Sequence, residues 1–142
     1  GFVVDATDGV AKMVELAGRR LRRPARLMEF SQLEAREEYD GIWAHASLLH
    51  VPAEELPAIL RRVHAALKPG GWHFACYKGG EGGSRDPFGR FYSYIPEAEL
   101  RAAYAAAGEW SSFEFDEEAG SSFGDIPTVW YNLTARKPDP TD

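Results

Sequence analysis

The 142-residue sequence contains a single cysteine, Cys76, so it cannot form an internal disulfide and gives no sign of an oxidising compartment. It has no apolar run near the ~18 residues that a membrane-spanning helix requires, and its start does not resemble a signal peptide. Positive charge is also scarce, because 16 Lys and Arg stand against 22 Asp and Glu, for a formal net charge of −6. This balance argues against a protein that mainly grips nucleic-acid phosphates. What remains is a cytoplasmic domain that acts on a small molecule or a protein partner.

Several catalytic motifs are missing as well. The sequence has neither a Gly-x-Ser-x-Gly elbow nor a Walker phosphate loop. His45, His50 and Cys76 do not have the close spacing of metal ligands, so no metal site is predicted.

Strand-like and helix-like segments alternate along a chain that is 44% hydrophobic and 27% charged, as in ordinary globular proteins. Short apolar runs predict strands over residues 1–7, 25–30, 39–45, 72–77, 110–115 and 128–135. Apolar residues at helical spacing predict helices over residues 10–21, 56–67 and 96–107. We interpret residues 68–71 (Lys-Pro-Gly-Gly) as a stop and turn, and residues 79–89 as a glycine-rich loop. The alternation predicts a mostly parallel α/β sheet, whose last two strands form an antiparallel pair joined by a loop of roughly a dozen residues.

Residues 39–52 (YDGIWAHASLLHVP), followed by residues 67–71 (LKPGG), resemble the middle of a class I S-adenosylmethionine-dependent methyltransferase. Residues 4–9 (VDATDG) resemble the second strand of that family with its acidic end, and residues 107–110 (AGEW) resemble the junction before its C-terminal hairpin. The order and spacing of these motifs make the resemblance fairly specific, with small bacterial methyltransferases of types 11 and 12, of a tellurite-resistance kind, as its nearest form. It implies a Rossmann-like α/β fold in a single domain over residues 1–142, with S-adenosylmethionine as cofactor and a small-molecule methyl acceptor.

One family feature has no counterpart before Gly1. The family binds its cofactor at a Gly-x-Gly-x-Gly turn after its first strand, which lies at the centre of the sheet order 3-2-1-4-5-7-6. The glycine pairs at residues 79–80 and 82–83 follow the wrong strand to replace that turn. We therefore expect the first strand to be missing from this chain, an upstream segment in the full gene product, and weak or no cofactor binding by the fragment alone. One alternative is a catalytically silent remnant that acts through protein contacts or self-association, such as a homodimer. Another is a nicotinamide-dependent oxidoreductase, but the antiparallel pair of strands at the C-terminus argues against it.

The resemblance assigns cofactor contacts to the ends of two strands. Asp8, with Gly9 beside it, would accept hydrogen bonds from the ribose hydroxyls, although a carboxylate here can also cap a helix. Asp5 takes the ribose role if the strand ends earlier. Glu29 and Phe30 would flank the adenine, while Phe30 could equally be a core residue.

The third strand and the loop after it would lie near the transferred methyl group. Ala44 and His45 follow that strand, where small residues allow a ligand to approach closely. His45 and His50 are the candidate catalytic side chains, and a structural histidine is the alternative for each.

The candidate substrate contacts follow the fourth strand, where open α/β sheets bind ligands. Lys78 and Arg90 are the candidates for holding an anionic substrate and Tyr92 is a further substrate-binding candidate, whereas solvated loop surface is the alternative for each residue. Glu81, Arg85 and Tyr94 lie in the same loop, with the same alternative.

Overall fold

The computed structural model describes residues 1–141, and the chain divides after Glu34 into two units. None of the described helices is both long enough and apolar enough to span a bilayer. The single domain expected over residues 1–142 stays a prediction, and each unit is described by itself.

The first unit contains one parallel strand pair and one helix. Strand β1 (Thr7–Asp8) pairs with β2 (Arg26–Leu27), and helix α1 (Ala11–Leu21) connects them. The helix ends at Arg22, which has a left-handed backbone conformation with a φ of 52°. Pro24 follows two residues later. A 3-10 turn, Phe30–Gln32, follows β2.

The two strands of this unit are shorter than the apolar runs predicted. Residues 1–6 lie outside any strand, and Phe2 and Val3 are 95% and 99% exposed. A strand exists only where a neighbour supplies hydrogen bonds, and β2 offers only a short ladder, in which the amide of Met28 donates to the Asp8 carbonyl at 3.0 Å. The predicted strands over residues 1–7 and 25–30 are therefore wrong in their bounds, although both strands exist.

The second unit is built on a mixed four-stranded sheet in the order β3-β4-β8-β7. Strands β3 and β4 are parallel, whereas β8 runs antiparallel to both β4 and β7. Strands β5 and β6 form a separate antiparallel pair. The elements are β3 (Tyr39–Ala44), α2 (Leu56–Ala66), β4 (Leu67–Lys78), β5 (Gly83–Arg85), β6 (Phe91–Ser93), α3 (Glu97–Ala107), β7 (Ser112–Ser122) and β8 (Ile126–Arg136).

Within each unit the strand order is the one that the family resemblance implies. Strands β2 and β1 correspond to positions 3 and 2, and β3-β4-β8-β7 corresponds to positions 4-5-7-6. The described pairings give β1 and β3 one partner strand each, so each has an unpaired edge. The α/β fold with a C-terminal antiparallel hairpin is confirmed.

The predicted turn at residues 68–71 lies inside β4. Tyr39 pairs with Leu67 while Gly41 pairs with Trp72, so the pairing register shifts between these two positions. Gly70 has a φ of 76°, which glycine adopts without the steric cost that a side chain brings. The segment is a bulge in one strand and not a break between two elements.

The C-terminal hairpin is longer than predicted. Strand β7 runs to Ser122 and β8 starts at Ile126, so residues 116–122 pair along β8 where we expected a loop. Gly124 and Asp125 at the tip have φ values of 82° and 56°, which fits a short hairpin loop. The sequence of residues 116–122 is polar and shows no apolar alternation, so it does not predict a strand. These residues form a strand because β8 pairs with them.

The core of the second unit lies between the sheet and helices α2 and α3. Both helices contribute fully buried leucines, Leu60 and Leu100, and the sheet contributes Ala75, Leu133 and Ala135. Helix α2 starts with Pro57 in its first turn, a position that tolerates proline. This packing fixes the carboxyl ends of β3 and β4, where several candidate site residues lie.

A hydrogen-bonded chain of three side chains lies inside this core. The fully buried His73 lies 3.1 Å from the Ile42 carbonyl through Nδ1 and 3.0 Å from the Tyr104 hydroxyl through Nε2, and the Tyr104 oxygen lies 2.9 Å from that of Tyr77. Burial lowers the pKa of His73 to about 4, with the Ile42 carbonyl partly opposing the change, so the ring is neutral at pH 7. Nδ1–H then donates to Ile42, the Tyr104 hydroxyl donates to Nε2, and the Tyr77 hydroxyl donates to Tyr104.

The lowered pKa of His73 predicts loss of stability in mild acid. The unfolded chain takes up a proton near pH 6.5, whereas the folded chain does so near pH 4, so this contribution is complete above pH 6.5 and is lost as the pH falls towards 4. Between pH 7.5 and 5.0 we expect His73 to lower the free energy of unfolding by about 2 kcal/mol. An NMR titration of the four histidines checks the cause, and a His73 ring that titrates near pH 6.5 would contradict it.

Candidate cofactor and substrate residues

Asp8 ends β1 with one carboxylate oxygen held and the other open. Its Oδ1 accepts a hydrogen bond from the backbone N–H of Val10 at 2.8 Å. Val10 is itself the N-cap residue of α1, and no side chain caps that helix end. The second oxygen has no hydrogen-bond partner among the described residues, so Asp8 can accept a hydrogen bond from a ligand.

Asp5, the other candidate for the ribose, is committed to an ion pair. Its two carboxylate oxygens accept from Nη2 and Nε of Arg26 at 2.7 and 3.0 Å. This two-point contact leaves Asp5 less available than Asp8.

The candidate adenine contacts, Glu29 and Phe30, lie beyond β2, after Met28, instead of ending the strand. The backbone N–H of Glu29 donates to Oε1 of Gln32 at 2.8 Å, which fixes the start of the 3-10 turn. Phe30 opens that turn and is 37% exposed, so it is not a buried core residue. A Cβ on Gly9 would lie 4.0 Å from Cγ of Glu29, an ordinary contact, so glycine is not required there by sterics.

In the second unit, Ala44 and His45 lie at the carboxyl end of β3. Ala44 is buried, while His45 is exposed and its ring lies parallel to two neighbouring aromatic rings. Its ring centroid lies 6.4 Å from that of Trp43 and 6.3 Å from that of Phe74. His45 makes no hydrogen bond among the described residues, so it contributes a flat face and an open pair of ring nitrogens.

His50 is oriented by a backbone contact. Its Nδ1 lies 2.6 Å from the carbonyl oxygen of Phe91 on β6, and its ring centroid is 4.6 Å from that of Tyr92. Since a carbonyl can only accept, Nδ1 carries the proton, and in the neutral ring Nε2 keeps a lone pair. Nε2 is therefore the nitrogen that can accept a proton from a substrate.

Lys78 ends β4 and is 6% exposed. Its Nζ lies 3.8 Å from the centre of the Tyr92 ring and 5.8 Å from that of Trp130. Burial and the charge of Arg90 lower its pKa, while the charge of Asp86 partly opposes this.

Arg90 is held by Asp86. Oδ2 of Asp86 accepts from Nη2 and Nε of Arg90 at 2.6 and 2.7 Å. The guanidinium also faces the rings of Tyr92, Phe88 and Phe123, at 5.6, 5.6 and 5.1 Å. Arg90 is thus a positioned cation with its charge already matched.

Three predicted residues of the second unit, His50, Lys78 and Arg90, therefore lie around the ring of a fourth, Tyr92. Trp130 lies near the ammonium group of Lys78, and we call these five residues the Lys78 cluster. Sequence reasoning missed Trp130 and Asp86. Residues 86–89 (Asp-Pro-Phe-Gly) have the residue types of a type I turn, and the N–H of Gly89 donates to the Asp86 carbonyl at 2.9 Å. The turn that positions Asp86 could therefore have been predicted from the sequence. No comparable sequence pattern pointed to Trp130.

Two open surface depressions of the second unit lie elsewhere. One is lined by Tyr104, Trp110 and Phe113, and the other by residues that include Glu54, Glu81 and Glu99. Neither contains His45, His50, Lys78 or Arg90. No group of three or more His, Cys, Asp or Glu side chains in residues 1–141 is placed to hold a metal ion.

A family model described as a methyltransferase domain matches residues 1–71, which is half of the chain. No curated protein sequence matches it.

Solved structures of methyltransferases are similar over nearly the whole chain. A methyltransferase from Methanosarcina mazei has a TM-score of 0.77 at 19% identity, covering 94% of this chain and 81% of its own. The 1,6-didemethyltoxoflavin-N1-methyltransferase of Burkholderia thailandensis, solved with 1,6-didemethyltoxoflavin and S-adenosylhomocysteine, has a TM-score of 0.69 at 26% identity, covering 96% and 61%. The phosphoethanolamine N-methyltransferase 2 of Haemonchus contortus has a TM-score of 0.75 at 14% identity, covering 94% and 43%. The last two proteins extend well beyond the region that this chain matches.

Proposed function

This chain belongs to the methyltransferase domain family, and we propose that its protein transfers a methyl group from S-adenosylmethionine to a small-molecule acceptor. The observation that carries the proposal is the family match over residues 1–71, which includes the strand ends that bear Asp8 and His45. The bound S-adenosylhomocysteine of the Burkholderia thailandensis enzyme supports the choice of cofactor.

The residues present fit that cofactor. The open carboxylate oxygen of Asp8 suits a ribose hydroxyl, which donates a hydrogen bond, and the exposed Phe30 ring suits an adenine face. Glu29 would accept from the exocyclic amine. Gly9, Ala44 and His45 complete the cofactor contacts that we propose.

When bound, the cofactor supplies a methyl group on a positively charged sulfur, which is a good leaving group. The acceptor would supply the lone pair for the bond to the methyl carbon, the electrons of the carbon–sulfur bond would stay with sulfur, and an acceptor that carries a proton would give it to a base. Alignment in a site with little water supplies much of the acceleration, so the protein's main tasks are to hold and orient. We propose that Nε2 of His50 takes the proton, with the Phe91 carbonyl holding the ring.

Replacing His50 by glutamine should lower kcat and leave KM nearly unchanged. The loss should be below about 100-fold, the lower end for general acid–base catalysis, since the leaving group needs little help. Steady-state kinetics on wild type, His50→Gln and His64→Gln check this, because His64 binds the carbonyl of Glu109 outside the cluster. An unchanged kcat, or a change in KM alone, would remove His50 from proton transfer.

The overall reaction is tested by a screen of small acceptors with methyl-labelled S-adenosylmethionine, with release of S-adenosylhomocysteine as the readout. Acceptor-dependent release supports an enzyme. Cofactor binding without turnover on any acceptor favours the silent remnant that acts through protein contacts.

Three further expectations accompany this proposal. We expect a cytoplasmic protein, checked by cell fractionation, and we consider a homodimer, for which light scattering is the test. We expect the protein to act on neither nucleic acid nor membrane.

A further inference from the structure

Lys78 is a largely buried residue whose ammonium group has no counter-ion among the described residues. The residue is 6% exposed, and no carboxylate of the described residues lies within ion-pair distance of its Nζ. Every fully buried side-chain nitrogen or oxygen in residues 1–141 has a hydrogen-bond partner, yet Nζ has none. Nζ must therefore reach solvent at the tip of an otherwise buried side chain. An opening at that point is where a ligand could reach it.

The nearest acidic group cannot neutralise this charge. Asp86 acts on Lys78 only from beyond ion-pair distance. Its Oδ2 is shared by two nitrogens of Arg90, and its Oδ1 accepts from the backbone N–H groups of Phe88 and Arg90 at 2.9 Å each. Because Asp86 matches the charge of Arg90, Lys78 is left as the uncompensated positive charge of the Lys78 cluster.

Aromatic faces surround the ammonium but do not replace an anion. The Tyr92 ring lies 3.8 Å below Nζ and the Trp130 ring lies 5.8 Å away. A cation over a ring gains a fraction of what a full charge partner supplies, and an ammonium group at the end of a largely buried side chain still requires an acceptor. Arg90 adds like-charge repulsion that an incoming anion would relieve.

We propose that Lys78 binds an oxyanion, a carboxylate or a phosphate, carried by the methyl acceptor, with the acceptor's apolar body against the partly exposed Trp130. The inference rests on the proposed methyl transfer, for which it names the substrate class. It separates the two cations that the sequence ranked together, since Lys78 contacts the anion while Arg90 positions the Tyr92 ring.

The test uses the full-length protein saturated with S-adenosylhomocysteine. Three small probes that share a phenyl ring are compared: benzoate, phenyl phosphate and neutral benzamide. Chemical shifts in NMR report the affinity of each probe. We expect at least one of the anions to bind about tenfold or more tightly than benzamide, as charge-assisted hydrogen bonds allow. The preferred anion then distinguishes a carboxylate site from a phosphate site.

Three lysine variants assign the effect to Nζ. Lys78→Met should abolish the preference for the anion, and Lys78→Arg should keep much of it. Lys68→Met should leave it unchanged, because Lys68 lies at the other end of β4 and pairs with Asp40. Since Lys78→Met removes a charge without a counter-ion from a largely buried side chain, its melting temperature should equal or exceed that of the wild type by a few degrees.

Equal binding of benzamide and both anions would overturn the inference, as would an anion preference that survives in Lys78→Met. A clear fall in the melting temperature of Lys78→Met would assign the lysine a structural role instead. These outcomes differ from failure of the proposed function, in which S-adenosylhomocysteine itself does not bind.

Discussion

Replacing Asp8 by asparagine should weaken the binding of S-adenosylhomocysteine by about 1–3 kcal/mol, the scale of hydrogen bonds to a charged group. The amide oxygen of asparagine can still accept from the N–H of Val10, which Oδ1 does now at 2.8 Å, so the turn before α1 is kept. What is lost is the negative charge and the open carboxylate oxygen. Titration calorimetry on the full-length protein measures the change.

Asp5 provides the matched comparison. Asp5→Asn breaks a solvent-exposed pair with Arg26, whose net contribution to stability should be small, and should leave the affinity nearly unchanged. The reverse pattern, with a loss in Asp5→Asn and none in Asp8→Asn, would transfer the ribose contact to Asp5. No change in either variant would remove this strand end from the cofactor site.

Replacing Tyr104 by phenylalanine should lower the free energy of unfolding by about 2–4 kcal/mol, because it leaves two buried groups without partners. Nε2 of His73 loses its donor and the Tyr77 hydroxyl loses its acceptor, which now lie 3.0 and 2.9 Å from the Tyr104 oxygen. Phenylalanine keeps the ring packing, so the loss isolates the hydroxyl. Denaturant unfolding at pH 7.5 measures it.

The Tyr77→Phe variant tests which hydroxyl donates in the hydrogen bond between Tyr77 and Tyr104. It removes a donor, while the Tyr104 hydroxyl can still donate to His73, so the loss should be smaller, about 1 kcal/mol. Equal losses in the two variants would contradict the direction assigned, and a negligible loss in Tyr104→Phe would contradict the network itself.

The helices of the second unit could be predicted because their signals are local. Apolar spacing and the prolines at their starts place α2 and α3 within a residue or so of their observed bounds. Gly108 is the residue at which α3 ends. Its φ of 164° is extended backbone, and a Cβ there would lie 2.7 Å from the His64 ring.

Strand bounds and site partners depend on residues distant in sequence. The apolar run at residues 1–7 looks like a strand, yet only Thr7–Asp8 has a partner to pair with. The extra length of β7 is likewise visible only beside β8. Lys78, Arg90 and Tyr92 could be chosen from their position after a strand, but the pairing of Arg90 with Asp86 and the placement of Trp130 near Lys78 arise from the folded loops.

The cofactor assignment is tested most directly by a crystal structure of the full-length protein with S-adenosylhomocysteine. We predict that the ribose hydroxyls lie within hydrogen-bond distance of the Asp8 carboxylate and that Phe30 contacts the adenine ring. A nucleoside bound at another place, with Asp8 and Phe30 facing only solvent, would contradict the account.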